Sequence, residues 1–187
     1  MKISRRKLFT SAGVASLATL APTVAQVPRD QTDPKFKIRK GRIRQSVMGW
    51  CFKSKPKPVD GPTLAKWAAD IGLAGIEGIA RKDYPAAKKL GLAISLVSSH
   101  GFKTGPFDRA QHAMCRTKLT EAIDVAAAVG CSSVITFTGF SVKGTRPEQG
   151  ARNCVEFWKS MMAVAERKKV NLVLEHLNTR DDSHPMK

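Results

Sequence analysis

The sequence predicts an α/β protein built on a parallel sheet. Short apolar stretches alternate four times with longer stretches of helical periodicity, and a fifth apolar stretch follows. Those apolar stretches are short and unbroken, as strands buried on both faces tend to be. The intervals between them suit helical crossovers rather than hairpins.

From Arg42, "RIRQSVMGWCF" is a strand candidate, and "KSKPKP" breaks it. Leu64, Trp67, Ala68 and Ile71 then recur at i, i+3, i+4 and i+7, the apolar stripe of an amphipathic helix. Pro62 stands suitably near its start. "GLAGIEGI" gives a second strand, "DYPAAKKLG" a short helix ending at Gly91, and "LAISLVSSHG" a third strand. Cys115, Leu119, Ala122, Ile123 and Ala126 line one face of a longer helix that Gly130 ends. "CSSVITFTG" is the fourth strand. Cys154, Trp158, Met161, Met162 and Ala165 mark the inner face of the last helix, and "KKVNLVLEHLN" supplies the fifth strand.

Ahead of this domain, residues 1–25 have the layout of an export signal. Lys2, Arg5, Arg6 and Lys7 form a basic head before a weakly apolar, Ala-rich run, with small residues ahead of Gln26. The run is short and diluted by Ser, Thr and Gly, so no permanent membrane anchor is expected. The Arg5–Arg6 pair resembles a bacterial twin-arginine signal, which implies a periplasmic or exported protein; a merely basic terminus is the alternative. Residues 26–41 read as a basic linker, and residues 42–187 as the folded domain.

The formal net charge is +17, and removal of residues 1–25 takes away four basic and no acidic side chains, leaving +13. Such a balance invites a nucleic-acid partner. The distribution argues otherwise: nine basic residues lie between Lys35 and Lys57, and the rest are spread over helical faces. No zinc-finger spacing, aromatic-and-basic strand module or recognition helix accompanies them, so no specific nucleic-acid partner is expected. Cys51, Cys115, Cys131 and Cys154 have no close-set pair and read chiefly as buried free thiols, with a disulfide or metal ligation as the alternatives.

Two closures suit the strand–helix repeat: a doubly wound open sheet or an eight-stranded barrel. Gly72, Gly75 and Gly78 fall at steps of three, which is not the dinucleotide fingerprint. Functional side chains recur instead at successive strand ends: Trp50 and Cys51 after the first, then Glu77, then Ser98, Ser99 and His100, then Thr136 and Thr138, then Glu175, His176 and Asn178. A barrel gathers all of those ends at one mouth. Five strands would leave its core open and two edges raw, so the sequence is expected to be an incomplete barrel.

The segments "RQSVMGWCF", "GIEGI", "SLVSSHG" and "LVLEHLNTRDDSHPM" together resemble the xylose-isomerase-like barrel superfamily, most closely hydroxypyruvate isomerase and related sugar-phosphate isomerases and epimerases. The resemblance spans roughly residues 42–187 and implies an α/β (β/α)8 TIM barrel present as about its first five strands and four helices. It implies a catalytic or metal-binding glutamate at the fifth strand, matched by Glu175, followed by an Asn-Thr-Arg-Asp-like stretch matched by Asn178, Thr179, Arg180 and Asp181. Further acidic ligands, including a second glutamate, are implied from later strands that this sequence does not contain.

Glu175 directly follows "NLVL", where a carboxylate is costly to bury unless paired or metal-bound. It is the expected catalytic residue and the ligand of a divalent ion (Mg, Mn or Zn), against the alternative of an ion pair with Arg180 or a nearby lysine. His100 is a second catalytic candidate, able to donate to a substrate oxygen, or else a neutral cap of the next loop. Glu77, Trp50, Asn178 and Arg180 are candidate substrate-binding residues. Glu77 could take a substrate hydroxyl or hold a lysine, and Trp50 could wall the pocket or pack in the core. Arg180 could grip a carboxylate or phosphate bidentately, or be solvated. His176 should point to the face opposite Glu175. Thr136 and Thr138 are explained by β-branched packing alone.

The expected function is that of a sugar isomerase or epimerase, interconverting aldose and ketose forms of a small hydroxy-carbonyl substrate through an enediolate. Activity would need the missing strands, supplied by a complementing C-terminal half or by self-association. The alternatives are a non-catalytic exported barrel that binds a sugar-like ligand, and a non-functional fragment.

Overall fold

The computed structural model describes residues 35–38, 41–54 and 57–175. All but the first two of these belong to one compact unit, Lys37–Lys187. Its elements run β1 (Ser46–Met48), α1 (Gly61–Asp70), β2 (Gly75–Glu77), α2 (Tyr84–Lys89), β3 (Ala93–Ile94), α3 (His112–Val129), β4 (Ser133–Thr136), α4 (Pro147–Arg167) and β5 (Asn171–Leu174). The signal assigned to residues 1–25 lies outside the described residues.

Local chemistry sets several of these boundaries. The Asp60 carboxylate accepts from the Thr63 amide at 2.7 Å and caps α1, whose second residue is Pro62. Gly130 ends α3 in the left-handed region, with φ of 72°, where an L side chain would be strained. Neighbouring strands are all parallel. Met48 stands opposite Glu77, Ile76 opposite Ile94, and Thr136 opposite Leu174. A bridge between Val97 and Val134 joins the first three strands to the last two.

The strand order is therefore β1-β2-β3-β4-β5, the order of the chain itself. A doubly wound sheet reverses direction at a switch point; this one does not. Each crossover advances the same way, and right-handed crossovers of that kind place every helix on one face of the sheet. Burial agrees: Ile76, Ile94, Val97 and Val134 share one core with Leu64 of α1, Ala87 of α2, Leu119 and Ile123 of α3, and Phe157 and Met161 of α4.

Four sequence expectations are corrected. The first strand ends at Met48, and Trp50 and Cys51 lie in a 3-10 turn over Gly49–Phe52. The cause is the neighbouring strand: Gly78 turns away with φ of 66°, so β1 has no ladder partner past Glu77. In α1 the buried set is Leu64, Ala65 and Ala68, while Trp67 and Ile71 are exposed. Small Ala65 lets the helix lie close to the sheet, which rotates Trp67 to the margin, and Ile71 falls past the last turn. In α4 the buried stripe is Cys154, Phe157, Met161 and Ala165, at steps of three and four, so Met162 faces solvent. The four cysteines are free, but only Cys115, Cys131 and Cys154 are buried; Cys51, in its turn, is exposed.

These placements predict unequal costs. Phe157→Ala should destabilise the protein by about 3–5 kcal/mol, because a fully buried ring leaves a cavity. Trp67→Ala should cost at most about 1 kcal/mol, as expected outside the core. Urea unfolding of the two variants checks both, and equal losses would contradict the burial pattern.

Candidate functional site

Side chains alternate across a sheet, so burial of one residue assigns the face of the next. Ile76 is buried towards the helices; Glu77 therefore projects from the opposite, open face at the carboxyl end of β2. There the Ser95 hydroxyl donates to Glu77 Oε2 at 2.8 Å, half-buried. On β4 and β5, Thr136 and Leu174 are in register and share a face. The Glu175 amide donates to the Thr136 carbonyl at 3.1 Å and continues the ladder by one residue. By alternation Glu175 projects from the open face, as Glu77 does. Three strand spacings separate them, roughly 14 Å along the sheet, which leaves room between for a small molecule.

His100 is held differently. Nδ1 lies 3.0 Å from the Gly101 carbonyl oxygen and 2.9 Å from that of Thr104, while Nε2 lies 3.1 Å from Thr136 Oγ1. Burial pushes its pKa below the ordinary 6.5, and the two carbonyls act in the opposite direction. The structure thus gives both ring nitrogens protein partners. Thr136 is the residue that packing alone did not account for: it is 2% exposed, and its hydroxyl also meets Trp158 Nε1 at 3.1 Å.

Above the strand ends, the loops after β3 and β4 interlock. Phe107 N donates to the Thr138 carbonyl at 2.8 Å, and Phe140 N to that of Lys103 at 3.0 Å. Gly105 and Gly139 meet backbone to backbone, where a Cβ on either would collide. The buried Asn153 amide donates to the Phe107 carbonyl at 2.9 Å, which ties the same loop to α4. A cleft of about 150 Å³ opens between these loops, with Lys103, Asp108 and Phe140 in its walls.

Trp50 is 64% exposed, in neither core nor cleft. Asn178, Arg180 and His176 lie outside the described residues. Among the described residues no three His, Cys, Asp or Glu side chains are grouped to hold a metal ion. Glu77 and Glu175 alone do not make a donor set for the expected Mg, Mn or Zn. The buried thiols Cys115 and Cys154 are pushed up to about 11, chiefly by desolvation, and stay neutral and inert at neutral pH.

A parallel sheet in sequential order, helices on one face and carboxylates at its carboxyl end define an α/β barrel of the TIM class. The chain matches the family described as Xylose isomerase-like TIM barrel over residues 65–185, and it belongs to that family. It matches no curated protein. Among solved structures it is similar to D-psicose 3-epimerase with D-tagatose from Clostridium cellulolyticum H10, at 15% identity and a TM-score of 0.58, over 75% of this chain and 55% of that one. An AP endonuclease of family 2 from Brucella melitensis matches at 17% identity and a TM-score of 0.58, over 65% and 52%. The 3-keto-D-glucoside 4-epimerase of E. coli matches at 15% identity and a TM-score of 0.56, over 70% and 56%. The chain spans about half the length of these proteins, and at such identities they share its fold.

The site predicts an acid sensitivity with a definite sign. Since the folded pKa of His100 lies below 6.5, the unfolded chain takes up this proton first as pH falls. Its contribution is intact above 6.5 and is lost as pH drops from there towards the folded value. Urea midpoints measured from pH 7.5 to 5 should fall further for the native protein than for His100→Gln; parallel curves would refute this.

Proposed function

We propose that the protein acts as a sugar isomerase or epimerase, hydroxypyruvate isomerase-like in substrate size, moving a proton at the carbon beside a carbonyl through an enediolate. The position of Glu175 carries this reading: it extends the β5 ladder past Thr136 onto the open face at the carboxyl end of the sheet. Catalytic groups of TIM barrels gather at that end. Relatives in fold include two sugar epimerases and an endonuclease, so fold alone does not choose the chemistry. Two carboxylates on one face favour proton transfer.

In this reading Glu175 is the base and Glu77, oriented by Ser95, accepts from a substrate hydroxyl. Arg180 and Asn178 hold the substrate's polar groups, and Trp50, 64% exposed, offers it an apolar wall. The substrate is a small hydroxy-carbonyl compound, met after export through the twin-arginine-like leader. Glu175 would give a divalent ion one carboxylate, and such an ion would supply positive charge at the substrate carbonyl oxygen.

Solvent exchange tests this directly. The full-length protein, incubated with hydroxypyruvate or a small ketose in D2O, should place deuterium on the carbon next to the carbonyl. Glu175→Gln should lower that rate by about 10²–10⁴-fold. Saturable binding with no deuterium incorporation, unchanged in Glu175→Gln, would show a ligand-binding barrel instead.

A further inference from the structure

We propose that the Gly101 and Thr104 carbonyls hold His100 as the Nδ1–H tautomer, that Thr136, backed by Trp158, locks the ring from Nε2, and that His100 so fixed is a positioning residue that clamps the β3–α3 loop beside the cleft. Donors and acceptors around the ring decide where its proton sits. The two atoms facing Nδ1 are carbonyl oxygens, those of Gly101 and Thr104, and a carbonyl can only accept. Nδ1 therefore carries the proton. In the neutral ring, which burial favours, Nε2 is then an acceptor, and its partner, the Thr136 hydroxyl, donates to it. That hydroxyl keeps lone pairs free to accept, and the indole N–H of Trp158, which can only donate, supplies one bond. The chain has one direction: Trp158 to Thr136 to His100 to the Thr104 carbonyl.

Each group in this chain sits where an alternative would leave something unsatisfied. Thr136 is 2% exposed, so a hydroxyl with no acceptor would cost more than the bond itself contributes. The ring of Phe137 lies edge-on at 6.1 Å from His100 and limits its rotation. The clamp acts on Thr104, whose neighbours Lys103 and Gly105 carry the loop contacts to Phe140 and Gly139. Release of His100 would loosen the wall of the cleft that both loops share. The consequence for catalysis rests on the function proposed above: His100 serves the reaction by holding this loop, and leaves proton transfer to the carboxylates. The tautomer and the clamp themselves can be read without any turnover.

The test is 15N NMR of the full chain with labelled histidine at neutral pH, together with amide exchange, on the native protein, Thr136→Val and Thr136→Ser. In the native protein Nδ1 of His100 should appear protonated and Nε2 unprotonated. Thr136→Val keeps the shape and removes the hydroxyl; it should leave the proton on Nδ1, where the two carbonyls hold it, and speed exchange of the Phe107 and Phe140 amides about fivefold, roughly one net hydrogen bond. Thr136→Ser restores the hydroxyl and should restore native exchange. A protonated Nε2 in the native protein overturns the proposal, and so does a valine variant with unchanged exchange. If Thr136→Val fails to fold, the native tautomer decides alone. Absence of isomerase activity would move none of these readouts, so the two proposals fail separately.

Discussion

A single backbone bridge holds the domain in its sequence. Val97 donates to the Ser133 carbonyl and accepts from the Ile135 amide, and by those bonds β1, β2 and β3 continue into β4 and β5. The ladders on either side of it are a three-stranded and a two-stranded sheet. With it the strands follow chain order, every crossover turns the same way, and the helices share one face. Val97 and Val134 are both fully buried beneath that helical layer, so the bridge is also a packing contact.

The chemistry of the other face is a consequence of this ordering. Once Ile76 and Thr136 are committed to the helices, period-two alternation turns Glu77 and Glu175 the other way. The same commitment brings Thr136 within reach of Trp158 on α4 and of His100 beyond β3, so polar groups divide between the two faces. Carboxylates stand on the open side. A half-buried histidine, with protein partners at both ring nitrogens, stands beside the loops that follow β3 and β4. The edges are less settled: Val173 and Leu174 on β5 remain exposed, as do Trp67 and Ile71 on α1.

Much of the fold was legible because helical periodicity is strong where helices are long. The buried face of α3 is the one its sequence spells out, Cys115, Leu119, Ala122, Ile123 and Ala126. The strands were located but overextended. "LAISLVSSHG" contains a two-residue ladder at Ala93–Ile94 and the bridge at Val97, because parallel pairing depends on where the neighbour stops. Trp67 and Met162 were misassigned for a related reason: a template of spacing gives an apolar stripe but not its rotation, which Ala65 and Phe157 set by packing. The place of Glu77 at the end of a strand was legible in the sequence. Thr136 was not, since the partners that make it more than a packing residue lie 36 and 22 positions away.

The central claim is that Glu77 and Glu175 face one shared site although β3 and β4 separate them. Titration of a small ketose into the full-length protein, followed at the side-chain carboxyl carbons by 13C NMR, tests it most directly. The account predicts that both carboxyl signals shift with the same apparent affinity. A ligand that moves one carboxylate and leaves the other untouched would contradict it.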